Sequence, residues 1–299
     1  MSLNVLALLG AMLTIAIPLV WAGIGELIVE RTGILNLGIE GTMYAGAFAG
    51  FLTAIRTGSP WLGLAAAILA GVLAGLVMGL LAVTLGLNQH VSGLGLTLLL
   101  IAVCEFTFRL LYTGERPQLE SKFDTLLPGV DVLDQHWLTY LAFLVLAPLA
   151  WWTLRSTGIG YRLHAVGENF EAAEVAGISV TRTRYAALMA GGALMAIGGA
   201  FLTLAVLGNF TLDIINGRGW VCIALVIFAR WRIWPVVGGA LIFAVTDALQ
   251  LQLAISSAFS AVPRELMLAL PYLAVIAALA VWGRRVHYPS SYLKAYRRG

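Results

Sequence analysis

Long apolar segments recur along the whole chain, and most have the length of a helix that crosses a lipid bilayer. The chain is 60% hydrophobic and only 11% charged over its 299 residues, whereas soluble domains carry roughly a quarter charged residues. With about 20 apolar residues per span, this pattern predicts an all-α, polytopic membrane helix bundle of about 8–10 spans, forming a single domain over residues 1–299. The predicted spans are residues 3–28, 35–55, 61–87, 91–112, 136–154, 185–207, 218–231, 234–256 and 265–283. The segment 218–231 is short, so it is either a span or a re-entrant or tilted segment.

The distribution of Lys and Arg between the loops predicts how the bundle is oriented. If residues 155–184 and the C-terminus lie on one side, most basic residues outside the spans lie there too. The other side then carries Arg56, Arg116, Lys122, Arg218 and Arg264. Because basic residues accumulate on the cytoplasmic side, the N-terminus is predicted outside and the C-terminus inside. The basic C-terminal tail is interpreted in the same way, so no nucleic-acid partner is predicted.

Neither a metal site nor an enzyme is indicated. Cys104 and Cys222 each lie inside an apolar segment, where cysteine usually acts as a small hydrophobe. His90 and Ser92 stand two residues apart at the start of a span and suggest no nucleophile–base pair. We therefore predict no catalytic residue, no metal ligand and no cofactor in this chain.

Residues 30–50, "ERTGILNLGIEGTMYAGAFAG", place polar side chains and repeated Gly in an apolar region. Groups such as Glu40 are costly at membrane depth and usually face a cavity or a partner. If the segment is helical, Asn36 and Glu40 share one face at i, i+4. Two interpretations stay open: the pair contacts a transported molecule, or it caps backbone groups freed by a break in the helix.

A second Gly-led segment begins at Gly217 and repeats the order of features seen around residues 30–50. Each segment is followed by a Pro/Trp pair and a Gly-containing apolar helix. The predicted topology runs the two segments in opposite directions. Transporters often contain inverted repeats whose broken helices meet at a substrate site near the midplane. We therefore predict an inverted internal repeat with broken helices.

Other ionisable residues within the spans follow helical spacing. Glu105 and Arg109 stand at i, i+4 and are predicted to pair with each other. Glu26 and Glu30 have the same spacing near the inner end of the first span and are predicted to be interfacial. Asp247 is predicted to lie at membrane depth, where it is a candidate for a transport site.

Two loops are long enough to bind partner proteins. In the inner loop, residues 156–184, acidic residues and Gly177 predict a short helix over 168–176. Its small residues are predicted to share one face that fits a groove on a partner: Ala172, Ala173 and Ala176. The alternative is a surface helix that only connects two spans. The acidic outer loop, residues 113–135, is either a solvated connector or a docking surface.

Three stretches resemble signatures of ABC importer permeases of the branched-chain amino acid/ribose/nucleoside type. They are "ERTGILNLGIEGTM", "AVGENFEAAEVAGISVTRTRYAALMAGGALMAIGGA" and "NGRGWVCIALVIFARWRIWPVVGGALIFAVTDAL". They occur in family order, and the resemblance covers about residues 20 to 280. The "GEN" and "GIEGTM" forms are most similar to the nucleoside-importing branch. The third signature differs at Arg230-Trp231, where the family usually has a small residue or Gly.

The resemblance implies a permease subunit that forms the translocation path for a nucleoside, with a purine nucleoside expected. Glu and Asn would bind ribose hydroxyls or base edges, and aromatic residues would stack on a base. The path residues we expect are Asn36, Glu40, Tyr44, Asn88, Trp220 and Asp247. The residues expected to couple to an ATPase are Gly167, Glu168, Asn169, Ala172, Ala173 and Gly177.

The resemblance also implies partners in the cytoplasmic (inner) membrane and on both sides of it. They are a separate ABC ATPase that binds ATP and Mg, a second and homologous permease in a heterodimer, and an extracytoplasmic solute-binding protein. The sequence agrees with a separate ATPase, because a P-loop needs Gly-Lys-Ser/Thr and the only lysines are Lys122 after Ser121 and Lys294 after Leu293.

Alternative functions stay open at this stage. The same type of permease would also suit a simple sugar or a branched-chain amino acid. A self-sufficient secondary transporter or channel would instead use Glu40 or Asp247 as a proton site. Binding to an ATPase partner would distinguish an importer permease from a self-sufficient transporter or channel.

Overall fold

The computed structural model describes residues 5–114, 117–129, 131–255, 264–282 and 288–294. Within these ranges the chain forms twelve α-helices and no strand. The helices are α1 Val5–Glu30, α2 Ile39–Thr57, α3 Pro60–Gly79, α4 Gln89–Leu111, α5 Trp137–Tyr140, α6 Ala147–Ser156, α7 Gly158–Glu168, α8 Phe170–Val175, α9 Val180–Phe201, α10 Arg218–Phe228, α11 Ile233–Ile255 and α12 Arg264–Trp282. The predicted all-α helix bundle is confirmed.

Six helical segments among the described residues are long and apolar enough to cross a membrane. They are Leu8–Glu30, Pro60–Thr84, Gln89–Leu111, Trp137–Ser156, Val180–Leu207 and Ile233–Leu253. Three of them include a short π-helical stretch, which extends α3 and α9 and joins α5 to α6. All six coincide with predicted spans.

The other three predicted spans are helices of a different kind. The span predicted at 35–55 begins later, as α2, and carries Glu40, Arg56 and several Gly and Thr. The span predicted at 218–231 is the 11-residue α10, which is about 16 Å long and reaches halfway through a bilayer core of about 30 Å. In α12 the apolar portion is Leu266–Ala277. The segment around 218–231 is thus a half-length helix.

Close backbone contacts hold α9 at the centre of the bundle, where it packs against α1, α2 and α3. Gly71 and Gly75 of α3 lie directly against the carbonyl oxygens of Gly192 and Leu188, so a methyl group at either position would clash with the α9 backbone. Small residues at this spacing let membrane helices approach closely.

Two non-helical segments, which we call the first and second breaks, start at opposite ends of the bundle, and we name each end after a residue that the break contacts. The first break, residues 31–38, follows α1 and contacts Gly167, so we name that side the Gly167 end. The second break, residues 208–217, follows the π-helical end of α9. At its start, Leu119 N donates to Gly208 O (2.8 Å), and we name that side the Gly208 end.

The two breaks lead into helices that run in opposite directions. Helix α2 runs toward the Gly208 end, where Trp61, just after it, stacks on Trp137 and meets Phe123 edge-on. Helix α10 runs toward the Gly167 end, where the turn after it accepts hydrogen bonds from Arg31 through Trp231 O. This arrangement is the one that the predicted inverted repeat with broken helices requires.

Candidate functional site at the meeting of two broken helices

The Glu40 carboxylate joins the N-termini of the two broken helices. Glu40 lies in the first turn of α2 and is only 6% exposed. Gly217 N donates to its Oε1 and Gly219 N to its Oε2, both at 2.7 Å. Helix N-termini carry unpaired N–H groups and a partial positive charge, so a carboxylate satisfies both. One buried side chain therefore fixes α10 against α2.

Gly219 leaves room for this contact because it has no side chain. A Cβ at this position would lie 2.6 Å from Glu40 Oε2 and 2.7 Å from Glu40 Cα. Such distances are well inside van der Waals contact, so any larger residue would push α10 away from α2. The glycine permits the close approach of the two backbones.

Asn36 holds the first break through backbone contacts. Its Oδ1 accepts from Gly38 N (3.0 Å), and its own N–H donates to Glu26 Oε1 (3.1 Å). Asn36 is 2% exposed and precedes α2, so the segment is not one helix and the shared face expected for a helical segment does not form. The geometry is that of the capping interpretation, while contact with cargo stays a prediction.

Three buried side chains form hydrogen bonds with backbone groups of the first break, and the sequence did not predict that they belong to this site. Glu26, expected at the interface, is fully buried and binds Asn36 N. Gln89 Oε1 accepts from Leu35 N (3.0 Å), and Thr97 Oγ1 donates to Leu37 O (2.9 Å). The available signal was a polar residue inside an apolar segment, since such a residue must find a partner.

A polar cavity of about 380 Å³ lies beside the N-terminus of α10. Its polar lining comprises Asn216, Arg218, Asp247, Gln250 and Tyr272, and Phe243, Leu268 and Pro271 supply apolar surface. Because α10 is about 16 Å long and ends at the Gly167 end, its N-terminus lies near mid-depth. Arg218 was expected in an outer loop, but the second break re-enters the bundle and carries it to this depth.

The predicted path residues occupy different places around this junction. Trp220 is 37% exposed on α10, two residues after the Arg218 that faces Asp247. Tyr44 is buried one turn after Glu40, with its ring edge-on to Phe210 of the second break (centroids 5.3 Å apart).

Asn88 lies apart from the others. It is exposed at the start of α4, where its Oδ1 accepts from His90 N (3.0 Å) and Val91 N. The predicted Glu105–Arg109 pair is confirmed at 3.7 Å on α4, with Arg109 exposed and Glu105 partly buried.

The coupling segment, residues 167–177, contains the short helix α8. Asn169 caps it, with Oδ1 accepting from Ala172 N (3.0 Å). At its end Gly177 adopts a left-handed φ of +82°, and Ile178 N donates to Ala173 O (2.9 Å). This is a glycine-terminated helix end of the Schellman type. The predicted helix over 168–176 exists, but it spans only Phe170–Val175 because Asn169 serves as its cap.

The alanines of the coupling segment do not all face outward. Ala172 and Ala176, one turn apart, are exposed, and Val175 between them is 91% exposed. Ala173 instead packs on Val166 in a small core. The predicted shared face is therefore wrong for Ala173, because a helix lying on its own chain must bury one side.

Gly167 and Glu168 connect the coupling segment to the rest of the Gly167 end. Gly167 lies directly against the Arg31 carbonyl oxygen, with no room for a Cβ, and its own carbonyl accepts from Ser291 N (2.8 Å). Ser290 Oγ donates to Glu168 Oε2 (3.1 Å). The coupling segment thus rests on the start of the first break.

Arg31 links this region to the turn that follows α10. Its Nε and Nη2 donate to Trp231 O at 3.1 and 2.6 Å. Burial lowers the pKa of the Arg31 guanidinium, and the nearby Glu168 carboxylate opposes that shift. Arg230 and Trp231 both have φ above +50°, a left-handed conformation that Gly adopts most easily because it has no Cβ. The departure from the family pattern at these positions therefore coincides with a left-handed turn.

Comparison with known proteins identifies the family. Residues 8–279 match the family described as "Branched-chain amino acid transport system / permease component". The guanosine ABC transporter permease protein NupQ of Bacillus subtilis is 31% identical, over 97% of this chain and 96% of its own length. The nucleoside ABC transporter permease protein NupC of Lactococcus lactis is 30% identical, over 91% and 90%.

A putative glucose ABC transporter permease protein of Haloferax volcanii is 37% identical, over 82% of this chain and 77% of its own length. No solved structure gives a significant match. The fold defines a multi-pass membrane protein, and the chain belongs to this family of ABC transporter permeases. The family resemblance read from the three sequence signatures is confirmed.

Proposed function

We propose that this chain forms half of the translocation path of an ABC importer for a nucleoside, with a purine nucleoside as the expected cargo. The supporting observation is the junction at Glu40, where two broken helices meet beside a polar cavity near mid-depth. Polar groups at this depth suit a transport path better than a lipid-facing surface. Two relatives named for guanosine or nucleoside transport align over nine-tenths or more of the chain, which favours this cargo.

The Gly167 end is proposed as the cytoplasmic side, with the N-terminus outside, the C-terminus inside and the protein in the cytoplasmic membrane. The exposed face of the coupling segment then docks on a separate ATPase that binds ATP and Mg. Because this segment rests on Arg31, movement of the ATPase reaches the first break directly. A solute-binding protein docks at the Gly208 end, and a second, homologous permease completes the path as a heterodimer.

A simple sugar is the second candidate cargo. The relative with 37% identity is named as a putative glucose permease, and the cavity carries groups that suit hydroxyls. The two cargoes are separated by titrating the solute-binding protein encoded beside this permease with guanosine, D-glucose and leucine. Tight binding of guanosine alone supports the proposal, and binding of glucose or leucine alone contradicts it.

Transport itself is tested in cells that express the whole system. Uptake of labelled guanosine should require the ATPase and stop on ATP depletion. Uptake by this chain alone, unaffected by ATP depletion, would identify a secondary transporter instead.

The docking surface is tested by Ala172→Arg, which places a bulky charge on an exposed small residue. Co-purification of the ATPase should be lost while the permease keeps its melting temperature. Ser156→Arg makes the same kind of change at the exposed last residue of α6, eleven residues before the coupling segment, and should leave the complex intact. Equal ATPase recovery with both variants would remove the docking claim.

A further inference from the structure

We propose that the cavity beside the second break recognises two adjacent hydroxyl groups of a neutral polyol, through Arg218 and Asp247. The inference rests on the proposed function and names the part of the cargo that the permease itself reads. Adjacent hydroxyls occur in the ribose of a nucleoside and in a free sugar, so the site recognises chemistry that both candidate cargoes share.

The ion pair at the cavity has an open geometry. Arg218 Nη2 and Asp247 Oδ2 are 3.9 Å apart, beyond the usual N–H···O range of about 2.7–3.2 Å. Arg218 Nη1 donates to the carbonyl oxygens of Ile214 and Ile215 (3.2 and 3.3 Å), which fixes the guanidinium in place. A hydroxyl accepts and donates at the same time, so one hydroxyl can accept from Nη2 and donate to Oδ2.

A second hydroxyl has further partners in the cavity, from α11 and α12. Gln250 lies three residues after Asp247 on α11, so both side chains lie on one helical face, and both line the cavity. The Tyr272 hydroxyl donates to Asn216 O (2.8 Å), which leaves its oxygen lone pairs free to accept. The cavity therefore offers donors and acceptors on two sides of a diol.

The rest of the cavity is apolar and small. The rings of Phe243 and Tyr272 stand edge to face, with centroids 5.8 Å apart. This surface suits the C–H face of a sugar ring or the edge of a base. A volume of about 380 Å³ is near the low end of the range for small-molecule sites, about 300–1,000 Å³, and fits one nucleoside or one hexose.

The charges of the cavity favour a neutral ligand. The carboxylate of Asp247 offsets the guanidinium of Arg218, so a ligand with a net charge would leave one charge uncompensated near mid-depth. A zwitterionic amino acid would have to separate the pair and replace both partners. A diol leaves the pair together and adds hydrogen bonds to both.

The test measures substrate preference in the assembled importer reconstituted in liposomes, with the solute-binding protein at saturation. The probes are guanosine, 2′,3′-dideoxyguanosine, D-glucose and leucine. Wild-type importer should transport guanosine at least tenfold faster than the dideoxy analogue. In Asp247→Asn and Gln250→Leu this ratio should fall to below threefold. Affinities of the binding protein, measured separately, correct for its own preference.

The ratio of guanosine transport to dideoxyguanosine transport shows whether these residues bind the hydroxyls or only stabilise the fold. If the two variants slow guanosine and its dideoxy analogue by the same factor, the residues are structural and the inference is overturned. Faster transport of leucine than of either polyol by the wild type would also overturn it. If the wild type transports glucose but not guanosine, and Asp247→Asn loses the preference for glucose over 2-deoxyglucose, the nucleoside proposal fails while the diol site stands.

A cysteine in the cavity gives an independent readout. Leu268 lines the cavity, and both native cysteines are buried, so Leu268→Cys should be the position that a water-soluble maleimide labels. Guanosine should slow this labelling at least threefold in the assembled importer, and the dideoxy analogue should not. Equal protection by the two compounds would contradict recognition of the hydroxyls.

Discussion

The two breaks share one topology but differ in what surrounds them. In the first break, residues 31–38, polar groups are satisfied by buried side chains such as Glu26 and Gln89. In the second break, residues 208–217, Asn216 is exposed and the adjoining Arg218 lines a cavity. The first break is therefore held in place by buried hydrogen bonds, and we call it the frame. The second break instead presents polar groups to the cavity beside it.

Each break is also attached to a different end of the molecule. The first rests on the coupling segment through Gly167. The second is tied at the opposite end, where Leu119 N donates to Gly208 O and Phe123 N to Leu204 O. The two regions meet where Glu40 accepts from Gly217 N and Gly219 N, where Arg31 donates to Trp231 O and where Tyr44 packs on Phe210. Of these contacts, the one at Glu40 joins the N-termini of both broken helices.

The largest effect should come from closing the space between the breaks. Gly219→Ala puts a methyl group 2.6–2.7 Å from Glu40 atoms, so α10 must move and both hydrogen bonds to the carboxylate are lost. We expect uptake to fall by more than about tenfold and the melting temperature to drop by several degrees, as for an overpacked core. Gly238→Ala, where nothing lies within 4 Å, is the matched control. Normal uptake by the Gly219 variant would show that transport does not need the close contact between the two breaks.

Glu40→Gln should weaken the same contact without adding volume. The amide keeps one acceptor for α10 but turns an NH₂ group toward the other backbone donor. A hydrogen bond to a charged group contributes about 1.5–3 kcal/mol, so uptake should fall about tenfold. Glu120→Gln makes the same change at an exposed loop position and should change uptake less than twofold. Wild-type uptake by Glu40→Gln would show that the carboxylate charge is dispensable.

The sequence determines the apolar part of this fold better than its interruptions. Hydropathy placed the six long spans, since a bilayer dictates their length. It could not place Asn36 outside α2, because that depends on its bond to Gly38 N. It could not bury Ala173, which packs on a neighbouring helix. Nor could it bring Arg218 to mid-depth, because the short 218–231 segment allows a re-entrant helix but does not show that the break before it enters the bundle to meet Glu40.

Asn36→Ala should have a smaller effect that is equal for all substrates. The substitution removes the acceptor for Gly38 N inside the frame of the first break, and a neutral hydrogen bond contributes about 1 kcal/mol. Uptake of guanosine and of 2′,3′-dideoxyguanosine should fall by the same factor, about threefold to fivefold. A change in their ratio would instead make Asn36 a cargo contact and weaken the distinction between the two breaks.

The smallest effect concerns pH and the attachment of the second break. His136 Nδ1 lies 2.9 Å from Phe123 O, and burial lowers the pKa of His136. His136 binds a proton more readily when the segment opens than when it is folded. Acid therefore favours opening. Stability from this group is therefore complete above the ordinary pKa of about 6.5 and declines as pH falls toward the lower folded value.

Amide exchange, corrected for its intrinsic pH dependence, should accelerate about twofold to threefold in residues 117–126 between pH 7.5 and 5.5. Residues 167–177, which rest on Arg31 at the other end, should not respond in a His164→Asn background, which removes the imidazole 3.4 Å from Arg31 Nη1. His136→Asn should abolish the pH response at 117–126, since an amide makes a similar contact but does not titrate in this range. Equal acceleration of amide exchange at the two ends would mean that the breaks are not independently attached. The junction at Glu40 would then transmit the opening of residues 117–126 to the other end.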